Sequence, residues 1–210
     1  MPDPQAPSGS IRLGRVAGVP VYLDRTWLIL GAFIAWTGWQ AGRDLGTTTG
    51  IAYAGWLVLG ILTAVLGHEI AHAVAGRMLG FRVHRIVATL WGGHTFYDGT
   101  GSTPGRAAAI AVSGPLANLG LAGIGWIGLQ ALTGPVAQFV LWWFVAINLL
   151  LAAFNLLPGL PLDGGQVVHS LVWKVSGRRD TALLVAGWLG RLLAIAVVVF
   201  FAVLPVVRGV

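Results

Sequence analysis

The chain has no cysteine and only one glutamate, Glu69, among its 210 residues. Without cysteine it can form neither disulfide bonds nor thiolate metal ligands, so histidine and carboxylate side chains are the metal ligands that remain. Charged residues are also scarce, at 10% of the chain, whereas hydrophobic residues make up 56%. This composition excludes an ordinary soluble domain and predicts an all-α polytopic membrane protein.

The net charge of +6 comes from arginines in the short loops and at the ends of apolar segments. Basic residues in such places orient helices across a membrane and contact anionic lipid. The charge therefore indicates membrane lipid as a partner and does not indicate nucleic acid.

Five apolar runs are long enough to cross a bilayer as helices. They cover residues 26–43, 51–78, 107–132, 136–157 and 181–206. Basic residues before the first span, between the second and third, and before the fifth place these connections on the cytoplasmic side. The alternative is a total of six spans. The sixth would either have been removed after the C-terminal residue or be formed by residues 165–176. Because that segment is too short to cross a bilayer, we expect it to be an interfacial helix.

Two segments outside the spans have the β-branched pattern of short hairpins, bounded by glycine. The first comprises residues 11–16 and 19–23, and the second comprises residues 82–91 and 94–97. We expect both near the cytoplasmic membrane face. Two roles stay open for them. In the first, the strands pair only with each other and cap the helices. In the second, an unpaired strand edge holds a peptide substrate in extended form by strand addition.

The second span contains the motif His68-Glu69-Ile70-Ala71-His72. Histidines four residues apart lie on one helical face and can bind one zinc ion, with the adjacent glutamate beside the metal as a base. Ionisable groups at bilayer depth are costly unless they pair, coordinate or face water. The motif therefore predicts a metal-dependent hydrolase within the membrane.

A catalytic zinc needs a third protein ligand and an open position. A thermolysin-like site is excluded because the chain has no second glutamate, and Met78 stands where a metzincin would have its third histidine. The remaining candidates are Asp163, Asp98, Asp44, His84, His94 and His169. We favour Asp163, because two prolines break the fourth span just before it and direct its carboxylate inward, although an Asp-Gly turn is the alternative.

Taken together, these motifs resemble the site-2 protease family of intramembrane zinc metalloproteases. The likeness includes residues 13–21 as the N-terminal strand region, residues 91–93 as a membrane-reentrant hairpin, residues 113–118 on the third core helix, and residues 155–165 at the end of the fourth span.

The resemblance implies Zn²⁺ held by His68, His72 and Asp163, with Glu69 as catalytic base and Asn155 as a substrate-binding residue. It also implies one intramembrane metalloprotease domain over residues 1–210, with core spans 51–78, 107–132 and 136–157. No PDZ or CBS domain is expected. The implied substrates are transmembrane proteins, with an anti-sigma factor as one example. The motif assigns no role to His94.

Other functions remain open at this point. A membrane metal-ion transporter could use the same histidines and Asp163, although transport gives no reason for Glu69 beside His68. A membrane scaffold without proteolytic activity is a further alternative. A prenyl-protein protease is disfavoured because that class uses another glutamate.

Overall fold

The computed structural model describes residues 7–90 and 92–203. The described helices are α1 Thr26–Gly42, α2 Thr47–Met78, α3 Pro104–Ala131, α4 Pro135–Asn155, α5 Asp163–Ser176 and α6 Arg179–Val198. A 3-10 turn, Arg43–Leu45, precedes α2, and a π-helical turn, Val199–Val203, follows α6. The described strands are β1 Ser10–Val16, β2 Val19–Asp24, β3 Val83–Thr89 and β4 Gly92–Tyr97.

Each of the five predicted spans corresponds to a helix. In the described part of the chain, four helices are long and apolar enough to cross a membrane, namely α2, α3, α4 and the helical segment Arg179–Ala202. Helix α1, predicted as the first span, has 17 residues and is shorter than these four. The predicted residues 204–206 of the last span lie outside the described residues. The protein is thus mostly helical, with four candidate spans and a small sheet.

The four strands form one sheet in the order β1-β2-β3-β4. Strands β1 and β2 pair antiparallel, as do β3 and β4, which confirms the two predicted hairpins. Trp91, predicted at the end of a strand, lies outside the described residues. The two hairpins are joined by parallel pairing of β2 with β3, which the sequence pattern did not predict. This pairing leaves β4 at one edge of the sheet.

The sheet packs against the second half of α2. Val19 and Val21 of β2 and Ile86 of β3 form a buried cluster with Ala73 of α2. A second cluster contains Leu23, Trp27 and Ala88 and packs against partly buried residues nearer the middle of α2. Burial of these side chains stabilises the contact through the hydrophobic effect. The sheet is consequently fixed beside the turn of α2 that carries the histidine motif.

Helix α4 ends at Asn155 and α5 begins at Asp163, so the predicted break falls between them. The connecting residues 156–162 pack closely on α6. The Leu160 N–H donates to the Ala186 carbonyl over 3.1 Å. A Cβ added to Gly159 would lie 2.5 Å from the Gly190 Cα, so only hydrogen fits between these backbones. Helix α6 therefore holds the segment that leads to Asp163.

Small residues let α1 and α2 approach closely. A Cβ added to Gly38 would lie 2.7 Å from the Ala54 Cα, whereas one added to Gly55 would meet nothing within 4 Å. Gly38→Leu should lower the stability of the folded protein by about 1–3 kcal/mol, because the helices would have to separate. Thermal unfolding in detergent, followed by tryptophan fluorescence, measures this effect. Gly55→Leu is the matched control, and equal melting temperatures for the two variants would contradict the described packing.

Candidate metal centre

The motif residues lie in the interior of the helix bundle. His68, Glu69 and His72 are only 7%, 5% and 8% exposed. Their possible ligand atoms all lie within 4.8 Å of one another. Three ionisable side chains on one buried helical turn need partners that satisfy them, because water is largely excluded.

Asp163, at the first turn of α5, supplies such a partner. Its Oδ2 lies 3.0 Å from the His68 Nε2, and its Oδ1 lies 3.3 Å from the His72 Nε2. The two Nε2 atoms are 3.1 Å apart. The structure thus brings together the three residues predicted as ligands.

The other candidate third ligands have different surroundings. The Asp98 carboxylate accepts hydrogen bonds from the Thr100 hydroxyl and N–H, which lower the pKa of Asp98. Asp44 lies beside Arg43 on the surface. His169 lies on α5 with its ring 6.1 Å from that of Trp173. His84 lines a separate depression on the sheet, and His94 is exposed at the rim of the cavity that contains the motif.

The hydrogen-bond acceptor beside each Nδ1 determines which ring nitrogen of the histidine carries the proton. The His72 Nδ1 lies 2.8 Å from the Ile110 carbonyl, which can only accept, so Nδ1 donates. The His68 Nδ1 lies 2.7 Å from the Asn118 Oδ1. The amide nitrogen of Asn118 is directed to the Ala64 carbonyl, so Oδ1 accepts and the His68 Nδ1 donates. In a neutral imidazole the other nitrogen then bears a lone pair.

When both imidazoles are neutral, the two Nε2 lone pairs and the Asp163 carboxylate face one another without a proton between them. Such an arrangement is unfavourable in a buried site unless a cation lies among the acceptors. Ligand atoms about 2.1 Å from a zinc ion at tetrahedral angles lie about 3.4 Å apart, close to the separations observed here. Two imidazoles and a carboxylate are also a donor set that suits zinc. The side chains of His68, His72 and Asp163 therefore fit a divalent metal ion.

Strand β4 positions Glu69. The Thr95 hydroxyl donates to the Glu69 Oε2 over 2.7 Å and lies 3.0 Å from the Glu69 carbonyl oxygen. A Cβ added to Gly93 would overlap the Glu69 side chain. The close approach of β4 therefore requires glycine at position 93, and one carboxylate oxygen of Glu69 is held by the sheet.

Helix α3 closes the other side of the metal centre. A Cβ added to Gly114 would lie 2.5 Å from the His72 Nε2 and 2.6 Å from the His68 Nε2. Gly114 leaves room for the two imidazoles against the helix backbone, whereas a larger residue would displace them.

A cavity of about 490 Å³ contains these groups. It is bounded by β4, by the first turns of α3 and by the α4–α5 connection, and Asn155 is among its lining residues. The Asn155 Nδ2 donates to the Leu151 carbonyl over 3.0 Å. Burial raises the pKa of Tyr97, which also lines the cavity, so its phenol is neutral. The cavity is large enough for a few residues of an extended peptide.

Several residues of the site were not identified from the sequence as its parts. Thr95, Gly93 and Gly114 contact the motif only through tertiary packing, and no spacing rule relates them to His68. Asn118 belongs to the segment 113–118 that resembled the family's third core helix, and the structure places it against His68. Asn148 lies seven residues before Asn155, on the same helical face. This spacing is the sequence signal that could have identified Asn148 as part of the site.

Comparison with known proteins agrees with this geometry. A model for Peptidase family M50 matches residues 129–199. Rip3 of Mycobacterium tuberculosis is 35% identical over 199 residues, which are 90% of this chain and 50% of Rip3. A zinc metalloprotease of Methanocaldococcus jannaschii is 27% identical over 203 residues, 91% of this chain and 53% of that protein. The fold is similar to that of the solved site-2 protease from Methanocaldococcus jannaschii, with a TM-score of 0.65 and 23% identity, covering 91% of this chain and 84% of that one.

The chain is similar to Peptidase family M50 in sequence and to a solved site-2 protease in fold. The resemblance inferred from the sequence motifs is thereby confirmed. This similarity and the four apolar helices indicate a multi-pass membrane protein. The chain spans about half the length of the curated relatives it matches.

Gly114→Ala should weaken zinc binding by at least about 10-fold, because the added methyl group displaces the imidazoles. Alanine is otherwise the better helix residue, so a general loss of helix stability is not expected. Competition with a chromogenic chelator measures the affinity. Gly120→Ala on the same helix is the control, since its added Cβ would meet nothing within 4 Å. Unchanged affinity for Gly114→Ala would contradict the tight fit.

Proposed function

We propose that the protein is an intramembrane zinc metalloprotease that cleaves transmembrane segments of membrane proteins. The convergence of two imidazole lone pairs and the Asp163 carboxylate, beside Glu69 and within apolar helices, carries this proposal. His68, His72 and Asp163 would hold the metal, Glu69 would be the catalytic base, and Asn155 would contact the substrate. We assign the whole chain to one protease domain with α2, α3 and α4 as its core spans.

Bound zinc would supply a Lewis acid that activates water and polarises the scissile carbonyl. Glu69 would accept the proton of the attacking water and pass it to the leaving amine. The Thr95 hydroxyl occupies Oε2, which leaves Oε1 for this exchange. Asn155 lies at the cavity wall, where its side-chain amide would bond the substrate backbone.

Strand β4 is suited to hold the substrate. It lies at an edge of the sheet, and its residues line the cavity beside Glu69. An extended segment that pairs with this edge would have its backbone exposed to the base, whereas a helical segment would bury its scissile bond in its own hydrogen bonds. The substrate would unwind locally and add a strand to β4.

The distribution of basic residues supports a site near the cytoplasmic face. Arginines cluster on the sheet and between α2 and α3, and Lys174, Arg178 and Arg179 lie around the junction of α5 and α6. Arg77, at the end of α2, donates to the Ala17 carbonyl in the β1–β2 turn. By the positive-inside rule the sheet then faces the cytoplasm. With α1 counted as a span, the chain crosses the membrane five times, and α5 lies at the interface.

The position of the cavity within apolar helices supports transmembrane segments as the substrate class. Single-span membrane proteins, such as an anti-sigma factor, have a segment that can enter laterally from the lipid. The membrane lipid is then the medium through which substrate arrives.

Glu69→Gln should retain one zinc per chain and lose cleavage of a transmembrane substrate, because glutamine cannot accept the proton. Asp163→Ala should lose the zinc as well, because a ligand is removed. Metal analysis and a cleavage assay in detergent measure both effects. Asp98→Asn is the control and should behave as wild type.

Cleavage by Glu69→Gln would contradict the assigned base. If wild type binds zinc without cleaving, and zinc flux across liposomes survives Glu69→Gln, a metal-ion transporter becomes the better assignment. Absence of both activities would favour a scaffold.

Thr95→Val should lower the cleavage rate by about 10-fold while zinc content stays the same, because a hydrogen bond to a charged group contributes about 1.5 kcal/mol or more. Thr95→Ser retains the hydroxyl and should restore most of the rate. Steady-state kinetics on the same substrate measure both variants. An equal loss in Thr95→Ser would show that the methyl group, and not the hydroxyl, matters.

A further inference from the structure

Two buried asparagines connect the core helices behind the metal centre. Asn118 on α3 and Asn148 on α4 are both 0% exposed. Neither lines the cavity, so neither is placed to contact substrate. Burying an amide is costly unless hydrogen bonds replace those made with water. The bonds that these amides make therefore deserve a functional explanation.

Each bond in this network has only one possible direction. The Asn148 Nδ2 donates to the Phe144 carbonyl over 2.8 Å, so the Asn148 Oδ1 is turned toward α3. That oxygen accepts from the Asn118 Nδ2 over 2.8 Å. The Asn118 Nδ2 donates its other hydrogen to the Ala64 carbonyl over 3.1 Å. With both amide hydrogens used, Asn118 presents its oxygen to the His68 Nδ1.

The orientation of Asn118 decides whether His68 can bind a metal. An accepting oxygen at Nδ1 keeps the proton there and leaves a lone pair on Nε2. A reversed amide would offer an N–H to Nδ1 and favour the tautomer with its proton on Nε2. That proton would point at His72 and Asp163 and block the ligand position.

We propose that Asn148 and Asn118 form an amide relay, anchored on two backbone carbonyls, that holds His68 in its metal-binding tautomer. Both are positioning residues that act through His68. The inference rests on the proposed metal site. It assigns to α4 a function in the metal centre in addition to carrying Asn155.

Simple helix packing would also explain two buried asparagines, and a nearby contact separates the explanations. Val145 lies one turn before Asn148 and packs against α3 at Gly125, where an added Cβ would lie 2.9 Å from the Val145 Cγ2. Val145→Ala weakens the same helix interface without touching the relay. It should lower the melting temperature and leave the histidine tautomer unchanged.

The test uses the full chain in detergent, with ¹⁵N-labelled histidine and no metal. Nitrogen chemical shifts report which ring nitrogen carries the proton, and a His68→Gln variant assigns the signals. Zinc affinity is measured separately by chelator competition. Wild type should show His68 protonated at Nδ1. Asn118→Leu should lose this preference with about 100-fold weaker zinc binding, and Asn148→Leu should weaken binding about 10-fold, because Ala64 still anchors Asn118.

Asn148→Asp is the rescue variant. A carboxyl group buried here stays neutral, so its O–H can donate to the Phe144 carbonyl and its other oxygen can accept from Asn118. Its tautomer and affinity should be close to those of wild type. If Asn148→Leu does not fold, Asn148→Ala also lacks the acceptor and fits the space.

An unchanged His68 tautomer in both Asn118→Leu and the apolar Asn148 variant would overturn the relay, as would an equal loss of affinity in Val145→Ala. These outcomes are separate from failure of the proposed function, which would appear as a wild type that binds no zinc. The tautomer of the metal-free protein tests the relay in either case.

Discussion

The rest of the site depends on one electrostatic constraint, the need to neutralise buried lone pairs that face one another. The Nε2 atoms of His68 and His72 and the carboxylate of Asp163 converge at separations of 3.0–3.3 Å. In water such groups would be solvated separately, but in an apolar bundle they need a shared cation. The surrounding structure has to direct the lone pairs inward and keep protons off them. The Ile110 carbonyl and the Asn118 amide do this from behind the rings.

Backbone proximity is the second requirement, and glycine meets it from two sides. Gly114 brings α3 against the imidazoles, and Gly93 brings β4 against Glu69. In both places the functional side chain lies where a Cβ would otherwise be. The metal centre is thus enclosed by main chain, which is less mobile than long side chains and confines the ring orientations. The same closeness places the edge of β4 within reach of the base.

Much of this arrangement was predictable from the sequence because it depends on local patterns. Apolar runs identified the helices, and the two prolines before Asp163 identified the break that frees it. The spacing of His68 and His72 identified the paired ligands. Parallel pairing of β2 with β3 was not predictable, because it joins strands separated by two helices and depends on both packing on α2. Thr95 was not identified for the same reason, since a side-chain contact between separate elements leaves no periodic signal in the sequence.

Helix α6 shows how far the framework of the site extends. None of its residues lines the cavity, and most of its surface is exposed. Yet its backbone at Ala186 and Gly190 fits against Gly159 and Leu160, in the segment that ends at Asp163. A bulky residue at position 190 would push this segment away from α6. Because Asp163 follows within a few residues, its carboxylate would move relative to the two histidines. The position of the third ligand is therefore determined by helix packing outside the cavity as well as by the prolines that precede it.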